Sequence, residues 1–241
     1  MMNVRTPLAA IAIVFAVGAG LDAHHGRDFL LARTAELPHP GQIFLVPRQD
    51  VIRQLPTTVI ELEPSLMFGA SERLALEIHS HIAREDETGF AYESIAPAVH
   101  VRLTPEESVW GAGASVEYEI SRGEGQSDRL ETRLVASRQT GLSRLAINIF
   151  AGHGGTDEQT GLARSGLDWN YAAGFRRRVS GKVDLGVEGQ GEFSATGVHE
   201  VLAGLYSEPS GWVTINVGAG VGMGPDAPSL TVRTAVVFRL R

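Results

Sequence analysis

Apolar and charged residues alternate along the last stretch of the chain, 230–241. Leu230, Val232, Thr234, Val236, Phe238 and Leu240 fall on one parity, and Thr231, Arg233, Ala235, Val237, Arg239 and Arg241 on the other. Successive side chains of a strand point to opposite faces, so this pattern predicts a β-strand with one apolar and one cationic face. The same two-residue period runs through nearly the whole chain and breaks at Gly, Pro, Asp and Ser, as turn chemistry requires. It predicts twelve strands, near 42–49, 57–68, 72–84, 90–103, 110–122, 128–137, 142–151, 167–177, 182–193, 198–206, 212–221 and 230–241. Pro47 cuts the alternation of the first one short. With no long-period repeat or linker between them, the fold class is all-β, a meander of neighbouring antiparallel strands.

Alternation alone does not say where water is. In a soluble β-protein the apolar face packs inward; in a membrane barrel it meets lipid, and the charges line the lumen. Charge recurs on the polar parity of nearly every strand, at Glu61, Glu63, Glu77, His79, His81, His100, Arg102, Glu117, Arg133, Asp184, Glu188, Arg233 and Arg239. Aromatic residues gather near strand ends: Phe90, Tyr92, Phe150, Trp169, Tyr171 and Phe193 at one set, Phe68, Trp110, Phe175, Tyr206, Trp212 and Phe238 at the other. Two such girdles around an aliphatic belt suit a bilayer. The expectation is a twelve-stranded antiparallel up-and-down transmembrane β-barrel spanning 42–241, with the residues above lining its lumen. Arginine should then cost more at Leu76, Val99, Ile147 or Val187, in lipid, than at Ser65 or Gly186.

The start of the chain fits that picture. Arg5 precedes an apolar run from Pro7 to Gly20, and Ala23 is a plausible last residue before cleavage, so residues 1–23 read as a signal peptide. Residues 24–41 break the strand period and read as a short helix, or as an irregular tether or plug. With no cysteine, neither a disulfide scaffold nor a thiolate metal site is available. A net charge of −7 argues against nucleic acid as partner. The expected partners are outer-membrane lipid, the barrel-insertion machinery and a small solute or metal ion.

Candidate chemistry is sparse. His24 and His25, at a new N-terminus, could chelate Cu(II) or Ni(II) with the α-amine, or simply begin a polar tail. Glu77, His79 and His81 share one face of one strand. A hairpin turn at 69–71 would set Glu61 opposite His79 and Glu63 opposite Glu77, as a cluster or as part of a charge-balancing lumen network. Ser80 points away from both neighbouring histidines, so no nucleophile and base converge and no enzyme is expected. Glu188-Gly189-Gln190-Gly191 lacks the lysine and helix of a phosphate loop. No cofactor is expected. Arg233 and Arg239 need anionic partners, expected from across the lumen among Glu61, Glu63, Glu117, Asp184 and Glu188.

The stretches "HHGRDFLL", "ELPHPGQ", "APAVHVRLTP", "WNYAAGFRR", "HEVLAG" and "LTVRTAVVFRL" resemble a proteobacterial outer-membrane β-barrel family of transporter-like proteins, grouped near the phenol-degradation MetA-pathway barrels. The resemblance covers nearly all of the chain after the leader and implies a channel or transporter-like role in the outer membrane, with no catalytic residues. The expected function is passage or binding of a small polar or ionic solute. Alternatives are a closed structural or metal-binding barrel with a salt-bridged lumen, and a soluble periplasmic binding barrel.

Overall fold

The computed structural model describes residues 27–86, 89–122, 126–155, 166–194, 197–225 and 227–240. The leader expected over 1–23 and the pair His24–His25 lie outside the described residues. Twelve strands form one closed antiparallel barrel in chain order, with the last paired to the first. They are β1 (Ile43–Gln54), β2 (Thr57–Ser71), β3 (Leu74–Glu85), β4 (Ala91–Arg102), β5 (Trp110–Ser121) and β6 (Arg129–Thr140), then β7 (Ser143–Gly154), β8 (Leu167–Ser180), β9 (Val183–Glu192), β10 (His199–Ser210), β11 (Val213–Met223) and β12 (Leu230–Arg239). Closure leaves no sheet edge unpaired, which a strand-built membrane protein requires.

The apolar parity faces outward. Leu76, Val99, Ile147 and Val187 are 42–49% exposed, while Arg176 and Glu188 are 1% exposed. No water-soluble barrel gains by turning its aliphatic face out and its ions in, so the belt is a lipid surface and the polar parity looks into the lumen. Phe90, Tyr92, Trp169 and Phe193 stand exposed towards one end, and Phe68, Trp110 and Phe175 towards the other. Tyr118, outside both expected rings, is also exposed and donates to Asp128 at 2.7 Å beside the β5–β6 connection.

Several expectations are corrected. β1 does not stop at 49: it runs to Gln54, and the expected loop over 50–56 shrinks to Leu55–Pro56. Pro47 is tolerated because the β1–β12 ladder passes over 46 and 47 without changing register, and Pro47 faces Pro64 on β2. The β2–β3 turn falls at Glu72–Arg73, so His79 stands opposite Ser65 and Glu77 opposite Met67, not opposite Glu61 and Glu63. Tyr206 is not a girdle residue. It is buried in the lumen against Phe29, and Phe150 packs on the same inner cluster. Gly186 is no roomy control position, because a Cβ there would stand 2.5 Å from the Phe175 carbonyl oxygen.

Residues 27–42 contain no helix. They run irregularly through the barrel, and Asp28 to Ala35 are all buried. Phe29, Leu30, Leu31 and Ala32 join Ala146, Ala172, Leu202, Tyr206 and Ala235 in one apolar cluster inside the lumen. Leu37 packs on a second cluster of Phe44, Val46, Met67, Ala75 and Val237 at the end where β1 begins. Small inner residues make room for the segment. A Cβ at Gly174 would stand 2.7 Å from the Phe29 ring, one at Gly218 would stand 2.7 Å from Leu30, and one at Gly111 would stand 3.0 Å from Ala35.

Candidate functional site: a charged lumen filled by the N-terminal segment

The lumen wall grips the segment at successive positions. Glu188, on β9, accepts the backbone N–H groups of Leu30 at 2.7 Å, Leu31 at 2.7 Å and Ala32 at 3.0 Å, together with the Tyr206 hydroxyl. Asn148, on β7, accepts the Arg33 N–H at 2.7 Å and donates to the Arg33 carbonyl at 2.8 Å. Ser137 Oγ accepts the Ala35 N–H at 3.1 Å, and Arg102 Nε donates to the Ala35 carbonyl at 3.2 Å. An irregular backbone inside a barrel has no ladder to satisfy it, so these side chains take that place.

The segment's charges are paired as well. Arg33 donates to Glu77 at 2.8 Å, beside His100, which shares the same carboxylate oxygen at 2.8 Å, and Glu117 lies 3.9 Å away. Arg27 also pairs with Glu77 and lies 3.7 Å from Glu63. Asp28 takes the guanidinium of Arg176 at 3.1 Å, pairs with Arg144, and accepts the Thr34 hydroxyl at 2.9 Å. A buried charge is tolerable only when paired and hydrogen-bonded, so each strand-borne ion here is matched to one on the segment.

The remaining expected lumen residues fall into neighbouring pairs. His79 lies 3.5 Å from Glu117, with the His81 ring 5.1 Å from its own. Arg133 pairs with Glu131 at 2.9 Å and stands over Phe150. Asp184 pairs with Arg178 and lies 3.4 Å from Arg176. Glu63 pairs with Arg48 at 3.2 Å, and Glu61 stands opposite Asp50 across the β1–β2 ladder. Arg233 finds its anions on Asp50 of the adjoining strand and on Glu200 of β10 at 2.8 Å, not on the five acids expected from across the lumen. Arg239 sits opposite buried Phe44 near the end of β12.

Sequence reading missed Asp28, Arg27, Arg33 and Asn148. The acid and the arginines lie in a segment without period, and a lone asparagine in "LAINIF" carries only its inward parity as a signal.

Cavities flank the gripped segment towards both ends of the barrel. One, of about 170 Å³, is lined by Arg27 and Phe29 to Arg33 with Glu63, His79, His81, Glu117 and Arg133; it shares Phe150 and Gln190 with an adjoining space of about 310 Å³ towards Arg129, Asn170 and His199. The other cavity, of about 240 Å³, lies beyond Ala35 and Glu36 and is bordered by Arg102, Glu106, Ser137 and Gln139. His39, Glu72 and Glu106 are grouped at this end closely enough to share a cation, and all three are exposed on the rim.

No family model matches the chain, and no curated protein does. Solved structures do. An outer-membrane channel from Pseudomonas putida F1 is 10% identical with a TM-score of 0.61, covering 85% of this chain and 97% of that one. The NanC porin is 12% identical with a TM-score of 0.58, over 81% of this chain and 100% of that one. The KdgM porin, in a structure with disordered oligogalacturonate, is 10% identical with a TM-score of 0.56, over 82% and 99%. At these identities the likeness is one of fold: this chain has the architecture of outer-membrane porins and channels.

Proposed function

We propose that this chain is an outer-membrane channel or transporter-like barrel for a small polar or ionic solute, shut in this state by residues 27–42. The carrying observation is that one face of the segment closes the cavity around His79 and Glu117 while its continuation at Ala35 and Glu36 borders the cavity at the other end. Both spaces are lined by charged groups, which favours a hydrated or ionic solute. With an even strand count, the β1–β2, β3–β4 and β5–β6 ends of the barrel face outside in this reading, and the end where β1 begins and β12 finishes faces the periplasm. Lipid and the insertion machinery are its obligatory partners.

Passage requires the segment to move, since its buried residues fill the barrel between the two cavities. Planar-bilayer conductance of the full chain against Glu188→Gln tests this. Removing the anion that collects three backbone N–H groups should raise the frequency of open events. Silence in both proteins would favour the second reading, a permanently closed structural barrel, which draws on the dense ion pairing of the lumen.

A further inference from the structure

The wall meets the segment chiefly through its main chain. Besides the bonds at positions 30 to 35, Arg176 donates to the Asp28 carbonyl at 2.7 Å and Asn216 to the Arg27 carbonyl at 3.3 Å. A side chain that holds backbone N–H and C=O groups is indifferent to which residue carries them. Any buried backbone needs such partners, so the grip on its own sets no ligand class. Two pockets add selectivity. Arg33 enters one formed by Glu77, His100 and Glu117. The Phe29 ring lies over the floor left by Gly174, between the Arg176 guanidinium at 5.5 Å and the Tyr206 ring at 5.9 Å. Backbone hydrogen bonds for affinity with spaced side-chain pockets for specificity is how proteins bind extended peptides.

We infer that the lumen groove is a peptide receptor whose ligand class is a short extended peptide carrying an arginine, and that residues 27–37 occupy it as an internal stand-in. The inference rests on the proposed function only in needing the segment to leave. The gripping groups sit on β3 to β11, whereas the segment is tethered through Gln42 to β1. Recognition therefore does not depend on the covalent connection. The tether raises the local concentration of the internal occupant, so an external peptide competes once the occupant's own anchors are weakened.

The test uses the full-length Phe29→Ala/Arg33→Ala protein in detergent micelles, with the fluorescein-labelled peptide RDFLLARTAEL followed by anisotropy. Saturable binding is expected, weakened about tenfold or more by Asn148→Ala in the barrel or by replacing the peptide's second arginine with alanine. Absence of saturable binding, or binding indifferent to both changes, overturns the inference. The chain has no cysteine, so Ala32→Cys in the same protein supplies a single thiol whose reaction with a small thiosulfonate reports whether the segment leaves. A reactive thiol without peptide binding sinks the peptide receptor alone. A protected thiol without binding sinks the moving segment as well. Should the double variant not refold, Arg33→Ala alone carries the same comparison.

Discussion

Asn148 and Arg33 are joined by two hydrogen bonds, the asparagine amide accepting the Arg33 N–H at 2.7 Å and donating to the Arg33 carbonyl at 2.8 Å. One side chain thus reproduces the paired bonds of a strand neighbour for a backbone that has none. Asn148→Ala should leave both backbone groups unpaired in the lumen, at a cost of about 1–3 kcal/mol. The expected result is amide hydrogen exchange in residues 29–35 faster by about tenfold or more, with barrel-strand exchange unchanged. Equal protection in both proteins would show that the segment is held by apolar packing instead.

Arg233 ties the closing seam of the barrel. It pairs with Asp50, directly opposite on β1, and reaches Glu200 on β10. Arg233→Leu should leave buried Glu200 without its cation, while Asp50 keeps Arg48 at 2.7 Å, at a cost of roughly 3–5 kcal/mol. A lower urea midpoint for unfolding from lipid vesicles checks it. Pairing the change with Glu200→Gln should recover part of the loss, and a silent single variant would contradict the seam's dependence on this network.

The lipid face makes a third prediction. Ile147 is 44% exposed on the outer wall, and arginine there should cost roughly 2–4 kcal/mol if it lies near the bilayer midplane. Gln190→Arg, on the inner wall within reach of Glu200 at 2.9 Å, should cost far less. Equal losses in vesicle unfolding would mean that the two faces do not see different solvents.

The sequence carried the barrel because its alternation is locally enforced. Each strand must keep one face for lipid, and a one-residue slip would put Arg233 or Glu77 into hydrocarbon. It was less legible where the lumen is not watery. On β10 the inward positions beyond Glu200 are Leu202, Gly204 and Tyr206, which receive Phe29 and Leu30, so polarity along most of that face says nothing about direction. That is why Tyr206 looked like a girdle residue and why Glu200 went unnoticed as a partner for Arg233. Asp50 was hidden differently, because Pro47 looked like the end of a strand that in fact continues through it. The grip on residues 27–37 had no periodic signature, since every bond in it joins an aperiodic segment to a single inward residue of a distant strand.

In the proposed channel, residues 27–42 close the lumen and leave it when the barrel opens. A Cβ at Gly113 would stand 3.5 Å from the Ala35 Cβ, with the Val101 carbonyl oxygen nearest at 3.1 Å. That separation suits a disulfide, for which Cβ atoms lie about 3.5–4.5 Å apart. In a chain with no other cysteine, Ala35→Cys/Gly113→Cys forms a lock that a reductant opens. The decisive measurement is single-channel conductance of this protein in a planar bilayer before and after reductant is added. Silence is expected while the bond is intact and open events once it is broken; conductance that is the same in both states would contradict a segment that moves to open the lumen.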